Sequence, residues 1–215
     1  MASMSSVASD QPGSEVFHGT APFSEPETNN VADVMFTFPS LTWFLDLHSF
    51  SATILYGWGD DSAQTTAEDQ SFSNATYDGK RGMLGTEPED SQYGEYILEE
   101  DLRTQMDVTA RMASAMNSAG SIYYTTNQSA MVYPVSGGST DYAMSQYYRQ
   151  GDGSCGKNRM HGLTLEFGIN TGSLVCPFYP DKEQYHNNMR QVGAGLMELL
   201  LNAAGEAGEP RVKEC

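Results

Sequence analysis

A histidine directly follows a short apolar run in this chain, and it is the first candidate for chemistry. Residues 43–47 are mostly large and apolar, and the run is too short for a typical helix, so it predicts a buried strand that ends at His48. In an open α/β sheet, ligands collect at the carboxyl ends of such strands. His48 could therefore bind a metal, act as a base, or simply satisfy a hydrogen bond as a partly buried side chain.

A carboxylate inside a second apolar segment is the next candidate. Residues 161–167 predict a strand with Leu163, Leu165 and Phe167 on one face and Glu166 on the other. An ionised carboxylate in such surroundings is costly unless it is paired or protonated. Desolvation would raise its pKa toward neutrality, which suits a general base. The alternative is a glutamate at the strand end that is partly solvated and bonded to a neighbour.

Tyr133 stands just before a flexible turn, Ser136-Gly137-Gly138. A phenol beside a flexible loop can swing inward and bind a substrate, but taken by itself Tyr133 is more simply explained as a half-buried aromatic side chain. The chain has no Gly-x-Ser-x-Gly, so no nucleophile elbow is indicated. It has no Cys-x-x-Cys either, which disfavours a thiolate metal site.

These residues need elements to position them, and the pattern of the sequence predicts an α/β protein. Apolar periodicity and end signals predict strands at 42–47, 130–133 and 161–167, with a further apolar patch at 54–58. Residues 59–92 are polar and read as a long surface loop. The remaining segments with helical spacing cover 24–38, 93–117, 141–148 and 182–204. Helices that alternate with apolar strands indicate the α/β class.

Length and charge limit the class further. At 215 residues the chain is most simply one domain, with a disordered leader at 1–16 and a flexible tail at 206–215. The net charge of −17 repels phosphate backbones, so nucleic-acid binding is not expected. No apolar run approaches the roughly 20 residues of a membrane span, and residues 1–14 lack the features of a signal peptide.

The chain has three cysteines, and this odd count argues against a full disulfide framework. Cys155 and Cys176 flank the Glu166 strand and could pair in an oxidising compartment.

Taken in order, four groups of residues resemble motifs of the zinc metallocarboxypeptidase family, of the carboxypeptidase A/B type. The resemblance covers roughly residues 15 to 204, and it implies a three-layer α/β/α fold with a mixed, mostly parallel sheet. The first group, Phe17-His18-Gly19 with Ser24-Glu25-Pro26-Glu27, resembles the family's Tyr-His-Gly and Ser-Glu-x-Glu, and the second, residues 46–51 with 54–59, resembles its His-Ser-Tyr and Leu-x-Tyr-Pro-x-Gly. The third group, residues 132–141, resembles its Tyr-x-Ala-Ser-Gly-Gly-Ser-x-Asp loop. The fourth, Leu163-Thr164-Leu165-Glu166, resembles its Phe-Thr-x-Glu-Leu strand.

Carried over by position, the resemblance implies a role for five residues. His48 would be the third zinc ligand. Glu166 would be the general base that activates the zinc-bound water and then protonates the leaving amine. Tyr133 would close over the C-terminal residue of a peptide or protein substrate, and Ser49 would lie in the neighbouring subsite. Thr140 would lie at the base of the specificity pocket, where a neutral side chain favours a neutral or apolar C-terminal residue.

The sequence departs from the family in its metal ligands. In the family a His-x-x-Glu, an Asn-Arg pair and a second Arg precede the Tyr-His-Gly segment, and no His-x-x-Glu occurs in this chain. A catalytic zinc needs about three protein ligands, so one histidine cannot form a tight site. Residues 17–205 are therefore expected to be a partial carboxypeptidase domain whose N-terminal half is missing or lies on a partner chain. Alone, it should bind zinc weakly and hydrolyse little or nothing.

Two alternatives stay open at this point. One is a non-catalytic, peptidase-like binding module that has lost the metal site. The other is an unrelated α/β protein in which His48 and Glu166 never meet. The family resemblance also suggests a secreted or extracellular protein, although the chain itself carries no signal peptide.

Overall fold

The structure is a computed structural model that describes residues 8–38, 40–81, 93–149, 159–169 and 178–205. Within these residues it contains four α-helices and six β-strands. The helices are α1 (Pro26–Thr37), α2 (Glu99–Ala119), α3 (Ser139–Tyr148) and α4 (Lys182–Gly205). The strands are β1 (Trp43–His48), β2 (Thr53–Tyr56), β3 (Ala63–Gln64), β4 (Glu95–Tyr96), β5 (Thr125–Gln128) and β6 (His161–Glu166).

The main sheet has four strands in the order β1-β6-β2-β5. β1 runs parallel to β6, and β2 runs parallel to β5, while β2 and β6 are antiparallel. The expected mixed, mostly parallel sheet is confirmed. Strands β3 and β4 form a separate parallel pair inside the region that the sequence pattern assigned to a loop and to the start of α2.

Two apolar clusters cover opposite faces of this sheet. On one face, Val108, Met112 and Met116 of α2 and Leu199 of α4 pack with core residues of β2 and β6. On the other face, Ala143 of α3 packs with residues that include Met35 of α1, Phe44 of β1 and Met160. Because side chains alternate between the two faces of a strand, β1 contributes residues to both clusters. The result is the three-layer α/β/α arrangement that the resemblance implied.

The predicted strand at 130–133 is wrong, because the chain forms its strand slightly earlier. Thr125–Gln128 pairs with β2 at the edge of the sheet, and Ser129–Met131 is a short 3₁₀ helix. The edge strand is polar, so it lacks the apolar signal of a core strand. Its side chains find partners instead, since the hydroxyls of Thr125 and Thr53 lie 3.2 Å apart.

The apolar spacing of α4 predicts its inward face only in part. Leu199 faces the core as this spacing predicts, but Met189 and Leu200, which it also places inward, are 57% and 63% exposed. Polar and small residues of α4 face the core beside Leu199. Gln191 can be buried there because its side chain donates hydrogen bonds to the carbonyls of Met116 and Ile122, at 2.8 and 2.7 Å. The inward residues of α4 are Asn187, Gln191, Gly195 and Leu199.

Helix α2 shows the same effect. The apolar spacing of α2 places Met106 on the inward face, yet Met106 is 46% exposed, whereas Gln105 is fully buried. The Gln105 side chain accepts a hydrogen bond from the backbone N–H of Gly57 at 3.1 Å, which satisfies it inside the core.

At the N-terminus, residues 8–17 form turns, and Ser9 bridges Phe17. The tail 206–215, the start of the leader at 1–7 and both candidate disulfide partners, Cys155 and Cys176, lie outside the described residues. Among the helices of the described ranges, none is long and apolar enough to cross a bilayer.

Candidate functional site

The structure brings His48 and Glu166 together at one edge of the sheet. They are the last residues of two adjacent parallel strands and are directly paired in register. Neighbouring strands lie about 4.8 Å apart, so their side chains emerge side by side at the carboxyl ends. The hypothesis in which these two residues never meet is therefore wrong.

Glu166 lies at the end of its strand and is partly exposed, rather than enclosed within an apolar strand. Burial still raises the pKa of Glu166 above its ordinary value. The charge of His48 opposes this rise, and the charge of Asp46 adds to it. Glu166 thus keeps a proton more readily than a free glutamate does, which suits a group that takes up and returns a proton.

A third residue that the sequence interpretation missed belongs to the same cluster. Asp46 precedes His48 by two positions, so both side chains leave the same face of β1. His48 Nε2 lies 3.1 Å from Asp46 Oδ1, with side-chain exposures of 50% and 31%. The hydroxyl of Ser139 donates a hydrogen bond to the other carboxylate oxygen of Asp46. The spacing Asp-x-His at a strand end was the available signal.

Helix α3 closes this face of the sheet through its first turn. Gly162 of β6 lies directly beneath it, and a Cβ added to Gly162 would stand 2.6 Å from the carbonyl oxygen of Thr140. Glycine at this position therefore allows α3 to approach the sheet. The helix begins at Ser139, the residue that bonds Asp46, and Thr140 follows it, 8% exposed.

The other two predicted site residues are Ser49 and Tyr133, and only Ser49 is placed at this edge by the described contacts. Ser49 directly follows His48 and is partly buried. Tyr133 lies in the segment between the 3₁₀ helix and α3, with a side chain that is 51% exposed. That segment is tied to the chain after β2, because the N–H of Val135 donates to the Gly59 carbonyl at 2.7 Å.

A cavity of about 940 Å³ lies on the α3 side of the molecule. Ser139, Asp141, Trp58 and Asp60 contribute to its lining, whereas Thr140 does not. Thr140 thus has no described opening onto this cavity, and its place in a specificity pocket stays a prediction. Ser139 links the cavity wall to the His48 cluster.

Two of the residues that line the cavity, Asp60 and Asp141, are carboxylates, and Glu95 is a buried carboxylate close enough to interact with both. Asp141, in the first turn of α3, accepts a hydrogen bond from the backbone N–H of Gly59 with both of its carboxylate oxygens. Burial raises the pKa of Asp60 to about 6 and that of Glu95 to about 8, and the charge of Asp60 contributes to the rise at Glu95. Burial, with the charges of Asp60 and Glu95, also raises the pKa of Asp141.

A catalytic zinc ion needs about three protein ligands. His48 has a ring nitrogen beside a carboxylate and an exposed edge, which fits one ligand. Among the described residues, however, no group of three or more His, Cys, Asp or Glu side chains could hold a metal. This part of the chain therefore fits one ligand of a zinc centre and does not form the whole centre.

Comparison with known proteins defines the class. The model of the zinc carboxypeptidase family matches residues 2–184, so the chain belongs to this family. Among curated relatives, carboxypeptidase A4 of Mus musculus is 43% identical over 51 residues, which are 24% of this chain and 12% of the relative. Carboxypeptidase B of Helicoverpa zea is 39% identical over 56 residues, 26% of this chain and 13% of the relative.

Solved structures share the fold. Bovine thrombin-activatable fibrinolysis inhibitor, in complex with tick carboxypeptidase inhibitor, matches with a TM-score of 0.62 and 17% identity over 94% of this chain and 53% of that chain. A second structure of thrombin-activatable fibrinolysis inhibitor matches with a TM-score of 0.57 and 17% identity, over 94% of this chain and 39% of that chain. This chain therefore spans about half or less of the length of these neighbours.

Proposed function

We propose that this chain supplies part of the active site of a zinc-dependent metallocarboxypeptidase, which hydrolyses the C-terminal peptide bond of peptides or proteins. The observation that carries the proposal is the pairing of His48 with Glu166 at adjacent strand ends, where the pKa of Glu166 is raised. A histidine ligand and a carboxylate base side by side are two groups that metal-assisted hydrolysis uses. Membership of the zinc carboxypeptidase family supports the same reaction class.

In this proposal His48 is a zinc ligand and Glu166 is the general base. A zinc ion in a complete centre of this kind would lower the pKa of bound water and polarise the substrate carbonyl group. Glu166 accepts a proton from the attacking water and returns it to the departing amine, so the base must be able to hold a proton transiently. Its raised pKa is consistent with that task.

Substrate contacts are assigned to the three remaining residues. Tyr133 closes over the C-terminal residue, which its half-exposed position beside the Gly137-Gly138 turn would allow. Ser49 lies in the adjoining subsite. Thr140 contacts the terminal side chain, and its neutral hydroxyl favours a neutral or apolar residue over Lys or Arg. The extracellular location and the Cys155–Cys176 pairing belong to the same proposal.

In this proposal, the other metal ligands and the carboxylate-binding arginine come from outside the described residues, in a longer form of the protein or on a partner chain. The described residues contain one ligand and no complete group. The isolated 215-residue chain should therefore bind zinc weakly and turn over little substrate.

The test is a zinc titration against a chromophoric chelator, combined with an assay on an acylated dipeptide that ends in phenylalanine. The purified chain should bind zinc weakly, and His48→Ala should weaken this binding further, whereas His186→Ala should leave it unchanged. If the parent chain and His48→Ala bound zinc with equal affinity, His48 would not be a zinc ligand. Vigorous zinc-dependent release of phenylalanine by the chain alone would show that the site is already complete.

A second candidate function follows from the incomplete donor set. The chain could bind the C-termini of peptides without hydrolysing them, as a peptidase-like module that has lost its metal site. Calorimetry with a free-acid peptide and its C-terminal amide distinguishes the two. Zinc-independent binding that favours the free acid and decreases in Tyr133→Ala supports the binding module. Binding that requires zinc supports the enzyme.

A further inference from the structure

We propose that Asp46 is a positioning residue that fixes the imidazole of His48, and that Ser139 holds Asp46 in place. The contact between Asp46 and His48 stands on the geometry of β1. Its consequence for zinc rests on the proposed function, in which His48 is a ligand.

Asp46 and His48 form a close pair on β1. Asp46 and His48 occupy alternate positions of one strand, so their side chains project from the same face. The 3.1 Å between Asp46 Oδ1 and His48 Nε2 is an ion-pair distance. Both side chains are only partly exposed, at 31% and 50%. A carboxylate in this place favours the tautomer that carries the proton on Nε2.

This pair has a consequence for the ring. When Nε2 carries the proton, the lone pair of the neutral imidazole lies on Nδ1. Nδ1 is then the ring atom of His48 that can bind a metal ion. A carboxylate beside a ligating imidazole also restricts the rotation of the ring, and removal of such a partner typically costs about 10–100-fold in metal affinity.

Asp46 has an anchor of its own. Its second carboxylate oxygen accepts a hydrogen bond from the hydroxyl of Ser139, the first residue of α3. Ser139 follows the Gly137-Gly138 turn and precedes Thr140. It therefore lies in the segment from Tyr133 to Thr140, whose ends are assigned to substrate contacts. The chain Ser139–Asp46–His48 therefore connects that segment to the histidine, and a shift of the turn would reorient the ring.

A matched control exists elsewhere in the protein. His18 Nε2 lies 2.7 Å from Asp10 Oδ1, in a pair whose side chains are 49% and 89% exposed. It presents the same two groups at a similar distance, away from β1. Asp10→Ala removes this partner of His18 and should leave the ring of His48 unaffected.

The experiment measures the ring ¹⁵N chemical shifts of the histidines in the metal-free chain, at about pH 9, where an ordinary imidazole is neutral. His48 should be almost entirely protonated on Nε2. In Asp46→Ala its shifts should move toward those of a solvent-exposed histidine, and Ser139→Ala should move them part of the way. Asp46→Asn keeps an acceptor oxygen and should restore the shifts of the parent chain. Asp10→Ala should change only His18.

Zinc affinity of the same variants, measured by chelator competition, completes the test. Asp46→Ala should bind zinc about 10–100-fold more weakly than Asp46→Asn and the parent chain. Unchanged ¹⁵N shifts in Asp46→Ala would overturn the positioning role whatever the zinc result. If the shifts move and His48→Ala weakens zinc binding, but Asp46→Ala does not, the proposed effect on zinc is wrong. If His48→Ala itself leaves zinc affinity unchanged, the zinc proposal fails, while moved shifts still support the contact.

Discussion

Both carboxylate oxygens of Asp141 accept the backbone N–H of Gly59, at 2.9 and 3.0 Å across 82 residues of sequence. The contact joins the first turn of α3 to the chain that leaves β2. Asp141 is 9% exposed, so the Gly59 N–H would have no ready solvent replacement if the carboxylate were removed. Asp141→Ala should therefore cost about 1–3 kcal/mol of unfolding free energy, measured by urea denaturation.

Asp141→Asn separates the hydrogen bond from the charge. The amide oxygen still accepts from Gly59, and the substitution removes a carboxylate that lies near Asp60 and Glu95. This variant should lose clearly less stability than Asp141→Ala. An exposed aspartate on α1, Asp33, supplies the control, since Asp33→Ala should change stability by no more than about 0.5 kcal/mol. Equal losses for Asp141→Ala and Asp141→Asn would contradict this assignment.

Glu95 should make the stability of the protein depend on pH. It is 1% exposed, and burial raises its pKa to about 8. The folded state then binds more protons than the unfolded state between the ordinary glutamate pKa and about pH 8, so stability is greatest at the acid side of this window and falls as pH rises through it. Asp60, with a pKa of about 6, acts in the same direction.

Glu95→Gln tests this dependence. The side-chain oxygen keeps its place beside the Phe72 N–H, which donates to Glu95 at 2.8 Å, but the ionisation is removed. Urea unfolding at pH 5, 6.5 and 8 should show a clear loss of stability for the parent chain and a smaller loss for Glu95→Gln. Glu183→Gln, at an exposed position of α4, should follow the parent chain. Parallel curves for all three proteins would mean that Glu95 does not cause the dependence.

The elements of this fold that were predictable are those whose apolar pattern agrees with their burial. β1, β6 and α3 lie within one or two residues of their predicted bounds, and apolar residues such as Leu163, Leu165 and Ala143 are buried as their pattern predicts. The inward faces of α2 and α4 were predicted incorrectly at Met106, Met189 and Leu200. Buried Gln105 and Gln191 have their hydrogen bonds satisfied by distant backbone groups, and such partners are not visible in a local pattern.

The sequence motifs predicted part of the candidate site. They identified His48 and Glu166 as candidates, but only the structure shows that these two residues are paired in register at adjacent strand ends. Asp46 was missed because its importance depends on Ser139, which lies 93 residues away in the chain. The acidic cluster was missed for the same reason, since Asp60, Glu95 and Asp141 come from three separate segments that look like solvated surface.

Zinc should affect the thermal stability of the isolated chain very little. A ligand present at its dissociation constant stabilises a protein by only about 0.4 kcal/mol, and a single histidine gives a weak site. Melting curves with micromolar zinc, and with a chelator, should therefore agree within about 1–2 °C. His48→Ala should give the same curves. A zinc-dependent increase of ten degrees or more would require further ligands within this chain.

Arg159 should be among the residues most important for stability. Its side chain is 8% exposed and pairs with Glu100 and with Asp101, with Nε and Oδ1 of the latter 3.1 Å apart. Removing one partner of a buried ion pair leaves an uncompensated charge, so Arg159→Ala should cost about 3–5 kcal/mol. The exposed pair Arg103–Glu99 is the control, and Arg103→Ala should cost less than about 1 kcal/mol. Similar losses for the two arginines in urea denaturation would contradict the assigned burial.

Gly195 provides a test of how closely α4 packs against α2. A Cβ at this position would stand 2.7 Å from the sulfur of Met116 and 2.9 Å from its Cγ, so Gly195→Ala forces a buried side chain to move. The expected cost is about 1–3 kcal/mol. Gly193, two residues earlier on the same helix, has nothing within 4 Å of an added Cβ. Gly193→Ala should therefore stabilise the protein by about 0.5–1 kcal/mol through helix propensity. Thermal and urea unfolding of the two variants should give opposite signs, and a stabilising Gly195→Ala would mean that the two helices are packed less closely than described.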